Sequence, residues 1–158
     1  MKRQWMALCV LPLFGVFAQA QSSSKKADYF SARDIQKQLA DLGPKAQPSG
    51  SSGSTLGDYT SHQLKLSVRT SSGGAEVHAH YDDVFVVTQG KATLTTGGTI
   101  ENAKTGDDGE TKGTDIQNGN TQVISVGDVL NIPAGTPHQL KIDQGTLFST
   151  IVIKVREQ

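Results

Sequence analysis

The chain has 158 residues, with 15 Lys and Arg against 15 Asp and Glu, and a single cysteine, Cys9. Its charges balance and no stretch interleaves basic with aromatic residues, so we expect no nucleic-acid partner. Because no thiol follows Cys9, disulfides, thiolate ligands and a cysteine nucleophile are excluded from the rest of the chain, and a metal there must take nitrogen and oxygen donors.

The N-terminal segment has the form of a secretion signal. Two basic residues precede an apolar run at 5–17, and the Ala-Gln-Ala at 18–20 has the small-x-small pattern of a signal peptidase site. We expect residues 1–20 to be a signal peptide cleaved after Ala20, which predicts a secreted or periplasmic protein; an uncleaved anchor is the alternative. No other segment approaches the roughly 20 apolar residues of a spanning helix, so no stable membrane insertion is expected.

A short helix is predicted over residues 28–42. Ser31 can cap it, Asp34 stands at the capping-box position, and its apolar residues recur with helical spacing. Gly43 and Pro44 are expected to end it. A single apolar stripe indicates that this helix docks on a domain rather than acting independently.

The segment that follows the helix, as far as Gly57, is rich in Gly, Ser and Pro and predicts a flexible tether. We therefore assign residues 21–57 to an N-terminal helix and linker and residues 58–158 to the folded domain.

The domain has the pattern of short strands and turns. Residues 61–69 alternate polar and apolar side chains, as a half-buried strand does, and we expect Leu64, Leu66 and Val68 to point inward. A polar, glycine-rich hairpin or loop is predicted over 102–120. Many short strands with almost no helix indicate a closed barrel or a double-sheet jelly roll. The other predicted strands cover residues 84–88, 91–96, 123–126, 128–132, 139–142 and 147–155.

Two further polar residues share the parity of predicted inward positions. His62 is expected to lie exposed at a strand end, and Lys154 to extend its ammonium group to the barrel rim. Neither is expected in the principal site.

Three of the four histidines fall in two short stretches. Glu76, His78 and His80 would project from one face of an extended strand, and His138 would approach from a distant strand. Imidazole nitrogens suit zinc, iron, nickel, copper and manganese, so this distribution predicts a site for one divalent transition metal. The alternative is a hydrogen-bonded core feature or a solvent-facing edge.

The stretch from Gly127 to His138 resembles the second motif of the cupin superfamily, which is a glycine, five residues, Pro-x-Gly, two residues and a histidine. The segment from Gly73 or Gly74 to Gly90 is similar to the first motif, with its His-x-His. The resemblance covers roughly residues 58–155. It implies a small cupin-like jelly-roll β-barrel, preceded here by one short helix, with a mononuclear metal held by His78, His80, His138 and an acid.

The acid is where this chain departs from the cupin pattern. Cupins have three or four residues between the second histidine and a glutamate, and six between that glutamate and the glycine. Here Asp83 keeps the six residues before Gly90 but has only two after His80. Asp83 is a candidate metal ligand, with a turn residue as the alternative. Glu76 is a second candidate, so either acid could complete the site or act as a catalytic base.

The cupin resemblance implies a range of functions, from dioxygenases to storage proteins. We expect a metal-dependent enzyme, dioxygenase-like or a related oxidoreductase, that acts on a small organic molecule. The alternatives are a non-catalytic module that binds a small ligand or a structural metal, and a storage protein without a site. An open pocket leading to the histidines would favour catalysis. A homodimer is also possible for a barrel with an exposed edge strand.

Overall fold

The computed structural model describes residues 26–157. The predicted signal peptide and Cys9 lie outside these residues. In the part that is described, no helix is long and apolar enough to cross a membrane. The elements in chain order are α1 (Ala32–Ala46), β1 (Ser51–Asp58), β2 (His62–Arg69), β3 (Ala75–Val77), β4 (Tyr81–Gln89), β5 (Lys91–Thr96), β6 (Thr99–Ile100), β7 (Lys104–Thr105), β8 (Thr111–Gly113), β9 (Ile116–Gln117), β10 (Asn120–Ser125), β11 (Val129–Ile132), β12 (His138–Lys141) and β13 (Phe148–Arg156).

Two antiparallel sheets form the body of the domain. One has the strand order β1-β2-β13-β4-β11, the other has the order β10-β5-β12-β3-β8-β7, and β6 pairs with β9 in a small separate ribbon. Neighbours in each sheet are mostly distant in sequence, as crossovers between the two sheets of a jelly roll require. A core of alternate apolar residues fills one end between the sheets, including Phe85, Leu94, Ile124, Ile132 and Phe148.

The predicted strands are found close to their predicted positions. β5 has the bounds that its flanking glycines indicate, and β4 starts at Tyr81, three residues earlier than predicted. The polar segment at 102–120 forms hairpins, because β7 pairs with β8 and β6 pairs with β9. The all-β fold with one short helix is therefore confirmed for the described residues.

The predicted cap of the helix is confirmed, but the helix begins at Ala32 rather than at residue 28, and its predicted end is wrong. Ser31 is the N-cap, and its hydroxyl accepts a hydrogen bond from the Asp34 amide. The helix continues through Gly43 and Pro44 to Ala46. Packing overrides local propensity here, because the last turns bury apolar side chains against β2. Gly43 also packs closely against Leu147, just before β13, since a Cβ there would lie 3.3 Å from Leu147 Cδ1.

The segment predicted to be a flexible tether instead forms β1. Its residues pair antiparallel with β2 from Ser51 to Asp58, with an irregularity between Thr55 and Gly57. The Gly- and Ser-rich composition misleads because an edge strand is held by backbone hydrogen bonds, which do not depend on the side chains.

The helix also determines which face of β2 points outward. Leu66 and Val68 pack with Leu39 and Leu42 of α1 in a cluster outside the barrel core. The alternation predicted for β2 is present, but its apolar face covers the outside of the sheet. Polar residues of β2 consequently line the space between the sheets, and this changes the chemistry of the interior.

Candidate metal centre

Glu76, His78 and His138 come together at one end of the barrel interior. Glu76 on β3 pairs directly with His138, the first residue of β12. His78 follows β3 by one residue. One ligand atom from each of the three lies within 4.8 Å of the others, which is close enough to bind a common metal ion.

His138 has the tautomer that a metal ligand needs. Its Nδ1 donates a hydrogen bond to the Thr136 carbonyl oxygen at 3.0 Å, so Nε2 carries the lone pair whenever the ring is neutral. Nε2 is fully buried and has no hydrogen-bond partner among the described residues. It lies 3.5 Å from Glu76 Oε1. In the neutral ring two acceptors would face each other here, so Nε2 needs either a proton, which then donates to Glu76, or a bound cation.

Glu76 is held as a carboxylate. Burial alone would raise its pKa, but its contact with His138, together with the nearby His78 and Arg69, outweighs burial and lowers the pKa to about 2. Glu76 is therefore ionised at neutral pH and available as an oxygen donor.

His78 lies between two acids. Its Nε2 is 3.2 Å from Asp83 Oδ2, and its Nδ1 contacts Glu110 Oε2. Burial lowers the pKa of His78, but the contacts with Asp83 and Glu110 raise it more, so the net shift is upward. A carboxylate on the far nitrogen of a histidine is the usual outer-shell partner of a metal-binding imidazole.

Glu110 was not among the residues predicted for the site. It lies immediately before β8, in the hairpin that follows β7, and this hairpin brings it to His78. The sequence shows only one acid among many polar residues there. No local pattern could identify it, because the contact spans 32 positions.

Asp83 is an inward-facing residue of β4 and not a turn residue. Its side chain is 5% exposed, and Oδ1 accepts a hydrogen bond from Lys154 Nζ at 2.7 Å. Oδ2 lies 3.2 Å from His78 Nε2 and 4.0 Å from His138 Nε2. Burial would raise the pKa of Asp83, but His78 and Lys154 lower it. Asp83 is thus an ionised carboxylate beside the three-residue group, with one oxygen committed to Lys154.

The prediction that Lys154 extends its ammonium group to the barrel rim is wrong. It pairs with Asp83 across the β13 and β4 ladder, and its side chain is 13% exposed.

The structure does not bring His80 into the group. β3 ends at Val77 and the chain bends at Ala79 and His80, so the alternation that places Glu76 and His78 on one face stops before His80. The side chain of His80 is exposed and lies beside Gly109 of the hairpin. The metal assignments for His78, His80, Asp83 and His138 remain predictions, and the geometry favours Glu76 over His80 as the third ligand.

The turn before His138 is tied to the segment that carries His78. Gly135 adopts a φ of 74°, which favours glycine, and its amide donates to the His78 carbonyl oxygen at 2.9 Å. The Ala134 amide donates to Asp82 Oδ1 at 2.8 Å. The Pro-x-Gly turn therefore fixes the two histidines relative to each other through the backbone.

A cavity of about 470 Å³ opens between the sheets next to the group, and Glu76, His78 and Asp83 line it. Phe85, Leu140 and Val152 supply apolar surface. The volume lies within the roughly 300 to 1,000 Å³ of small-molecule sites.

The residues of the group fit a divalent transition metal. Two imidazoles and a carboxylate form a nitrogen and oxygen donor set, and each histidine has its Nδ1 occupied by an oxygen of the protein. The unpartnered Nε2 of His138 is the atom whose environment a metal would complete. Zinc, iron, nickel, copper and manganese all accept such donors.

Comparison with known proteins places the fold. No protein-family model matches the sequence, and no match was found among curated proteins. Solved structures do match. An uncharacterized conserved protein with a double-stranded β-helix domain from Klebsiella pneumoniae has a TM-score of 0.56 at 14% identity, covering 83% of this chain and 91% of that chain.

Two further structures show the same likeness. Protein BH2720 of Bacillus halodurans has a TM-score of 0.52 at 16% identity, covering 73% of this chain and 77% of that chain. The cupin domain of Cnp3 from Schizosaccharomyces pombe has a TM-score of 0.50 at 13% identity, covering 68% of this chain and 61% of that chain. The protein therefore has the cupin fold, and the fold predicted from its two motifs is confirmed.

Proposed function

We propose that this protein is a metal-dependent enzyme that acts on a small organic molecule, with a divalent metal held by Glu76, His78 and His138. The observation that carries the proposal is the position of the cavity, which reaches Glu76 and His78 beside the unpartnered His138 Nε2. The atoms that could bind a metal are therefore adjacent to a space that could hold a ligand.

The cavity favours catalysis over a structural metal. Structural zinc sites are closed by four protein ligands, whereas catalytic sites keep a position open. Here three donors converge and the adjoining space is a cavity rather than packed side chains. The alternative of a storage protein without a site does not account for ionised carboxylates and imidazoles around such a space. A module that binds a small ligand without turnover is the remaining alternative.

The donor set favours a dioxygenase-like or related oxidation. Two histidines and one carboxylate, with positions left open, are the ligands of non-haem iron oxygenases. When bound, such a metal would supply Lewis-acid polarisation or activation of oxygen.

The protein's own residues would prepare the substrate. Asp83 is the ionised carboxylate beside the group, and its Oδ2 can accept a proton from a substrate group in the cavity. Lys154 balances its charge, and Glu110 holds the His78 ring by Nδ1. In this division of roles Glu76 binds the metal, while Asp83 serves as a base or as a fourth donor.

Secretion is part of the proposal. The basic residues, apolar run and Ala-Gln-Ala of residues 1–20 support export and cleavage after Ala20. Mass spectrometry of the protein recovered from its native host would then find a chain that begins at Gln21. Retention of Met1 would contradict the proposal.

The test is native mass spectrometry with elemental analysis of the purified wild-type protein and the His138→Ala variant. We expect one divalent transition ion per chain in the wild type and its loss in the variant, while His62→Ala, which changes a histidine outside the site, keeps the ion. The same spectra report whether the protein is a homodimer. A wild-type protein that is metal-free and takes up none of the first-row divalent ions would overturn the proposal.

Catalysis needs a second measurement. Protein loaded with iron(II) should consume oxygen in the presence of at least one member of a panel of small organic acids, and His138→Ala should not. Ligand binding without any turnover would favour the non-catalytic alternative.

A further inference from the structure

Two cationic side chains line the cavity without an acidic partner. Lys65 and Arg69 of β2 contribute to its wall, and both are half-buried. Among residues 26–157, no carboxylate lies within the 4.0 Å ion-pair distance of either one. Lys154, the third cation of the cavity, is by contrast paired with Asp83 at 2.7 Å.

Hydroxyl groups lie between and beside these two cations. Ser67 separates Lys65 from Arg69 on β2, and Thr150 of β13 pairs directly with Ser67. Ser51 of β1 pairs with Arg69, and all of these residues line the cavity. Three strand residues lie between Lys65 and Arg69, so their Cα atoms are roughly 13 Å apart, a span that their long side chains can close around a small molecule. We call these five residues the cationic wall.

The cationic wall faces the same space as the candidate metal centre. Glu76, His78 and Asp83 line this cavity too. The Arg69 guanidinium reaches toward β3, because a Cβ added to Gly73, just ahead of that strand, would lie 2.6 Å from Arg69 Nη1. A molecule in the cavity can therefore contact both groups at once.

The charges of the residues that line the cavity favour an anionic ligand. Three cations and two carboxylates line the cavity, so its lining carries one net positive charge when His78 is neutral. A divalent ion at the candidate metal centre would raise that excess by two. Arg69 lies near Glu76 without making an ion pair, so its donors and those of Lys65 can bind a ligand anion. Arginine and serine or threonine hydroxyls are suited to carboxylate and phosphate oxygens.

We propose that the cationic wall is the substrate's anion subsite, so that the substrate is a small organic anion whose carboxylate or phosphate binds Lys65 and Arg69 while its other end faces Glu76, His78 and His138. This assignment of a substrate class rests on the proposed function of the metal centre. The subsite itself consists of protein groups alone and can be tested without the metal.

The experiment is calorimetric titration of the full chain after removal of metal with a chelator. The probes are the straight-chain dicarboxylates from oxalate to adipate, their neutral diamides, and the phosphate monoesters of glycerol and ethanolamine. Absence of metal ensures that a carboxylate cannot bind by coordination. Failure here overturns the anion subsite whatever the metal result, while failure to take up metal overturns the proposed function and leaves this result intact.

We expect at least one anion to bind, with its diamide, or free glycerol in the case of glycerol phosphate, bound more weakly by about tenfold or more, as for the loss of a charge-assisted hydrogen bond. Arg69→Gln and Lys65→Gln should each weaken binding about tenfold. Lys91→Gln removes the same charge from an exposed position outside this cavity and should bind as the wild type does. The relative affinities for dicarboxylates and phosphate monoesters identify which anion the wall prefers.

Two results would overturn the subsite. One is the absence of binding by every anion in the panel, and the other is equal affinity in wild type, Lys65→Gln and Arg69→Gln. Melting temperatures show whether each variant is folded. If Arg69→Gln does not fold, Lys65→Gln decides the question alone, and equal affinity of Lys65→Gln and wild type then overturns the subsite.

Discussion

Glu76 and His138 face each other directly across the β3 and β12 ladder, with Oε1 and Nε2 3.5 Å apart. The Nδ1 of His138 donates to the Thr136 carbonyl oxygen, so in the neutral ring the nitrogen that faces Glu76 carries a lone pair. Two acceptors would then face each other in a place partly closed to water. In the metal-free protein a proton on Nε2 resolves that conflict by donating to Glu76, and a bound metal ion can take the place of that proton, which makes the pair the centre of the candidate site.

The first prediction separates His138 from His80. His138→Ala should lower metal affinity by more than the roughly 10 to 100-fold cost of losing an outer-shell partner, because it removes a donor atom. His80→Ala should leave affinity unchanged, because His80 is exposed and lies outside the group. Competition titration with a metal indicator measures both. Equal losses in the two variants would show that the bend at His80 is not maintained when metal binds.

The second prediction concerns Glu110. Its contact with Nδ1 orients the His78 ring, so Glu110→Gln should weaken metal binding about 10 to 100-fold while leaving the stoichiometry at one. The variant should also lower the pKa of His78, because one of the contacts that raises it is weakened. Metal titration and histidine NMR titration of the metal-free protein give the two readouts.

Glu101→Gln is the control, since Glu101 is an exposed acid near the hairpin and contacts Gln117 rather than His78. An unchanged His78 pKa in Glu110→Gln would show that Glu110 does not act on the ring.

Features of this fold that depend on neighbours in sequence could be predicted. The bounds of β5 follow from the turns on either side, and the approach of His138 follows from a Pro-x-Gly turn whose geometry is local. Glu76 and His78 share a face because strand alternation holds for that short distance. His80 lies outside the group because the strand ends at Val77, and no residue preference in the sequence indicates the bend that follows.

Features that depend on distant contacts could not be predicted. Glu110 meets His78 only because a hairpin folds over the site, and Lys65 and Arg69 face inward only because α1 covers the apolar face of β2. Alternation shows that a strand has two faces, but the packing of another element decides which one is inside.

The third prediction tests whether α1 is part of the folded unit. Leu42 is 5% exposed and packs with Leu66 and Val68. Leu42→Ala should therefore lower the free energy of unfolding by about 2 to 5 kcal/mol in urea denaturation. Arg33→Ala, at an exposed position of the same helix, should change it by less than about 0.5 kcal/mol. Equal stability of Leu42→Ala and wild type would mean that the helix docks weakly.

The fourth prediction follows from the pKa of Glu76, which is lowered from 4.5 to about 2. A carboxyl with a depressed pKa in the folded state stabilises the protein above its unfolded pKa, and that contribution is lost as the pH falls from 4.5 through 2. Metal-free wild type should exceed Glu76→Gln in stability by up to about 3 kcal/mol at neutral pH. The gap should close on acidification.

Urea denaturation between pH 7 and pH 3 measures this gap. Glu101→Gln, at an exposed carboxylate, is the control for replacing an acid by its amide, and its stability at pH 7 should be close to that of wild type. A gap for Glu76→Gln that stays constant over this range would show that His138 does not stabilise the carboxylate.

The fifth prediction concerns the pair of Asp83 and Lys154, which are directly opposite in the β4 and β13 ladder. Their side chains are 5% and 13% exposed, so removal of one leaves the other charge with little access to water. Lys154→Met should lower the free energy of unfolding of the metal-free protein by about 3 to 5 kcal/mol. Replacing Asp83 with Leu in the same variant should recover much of that loss, because neither charge then remains buried.

An exposed ion pair on the helix serves as the control for that experiment. Lys37 and Asp41 make a contact of 2.8 Å on the helix surface, and Lys37→Met should leave the free energy of unfolding close to that of wild type. Urea denaturation of the two single variants, the Asp83 and Lys154 double variant and the surface control completes a double-mutant cycle. Additive losses at Asp83 and Lys154 would show that the two charges are not coupled, and Asp83 would then be free to bind metal through both of its oxygens. Strong coupling would confine Asp83 to one free oxygen, the one that faces His78.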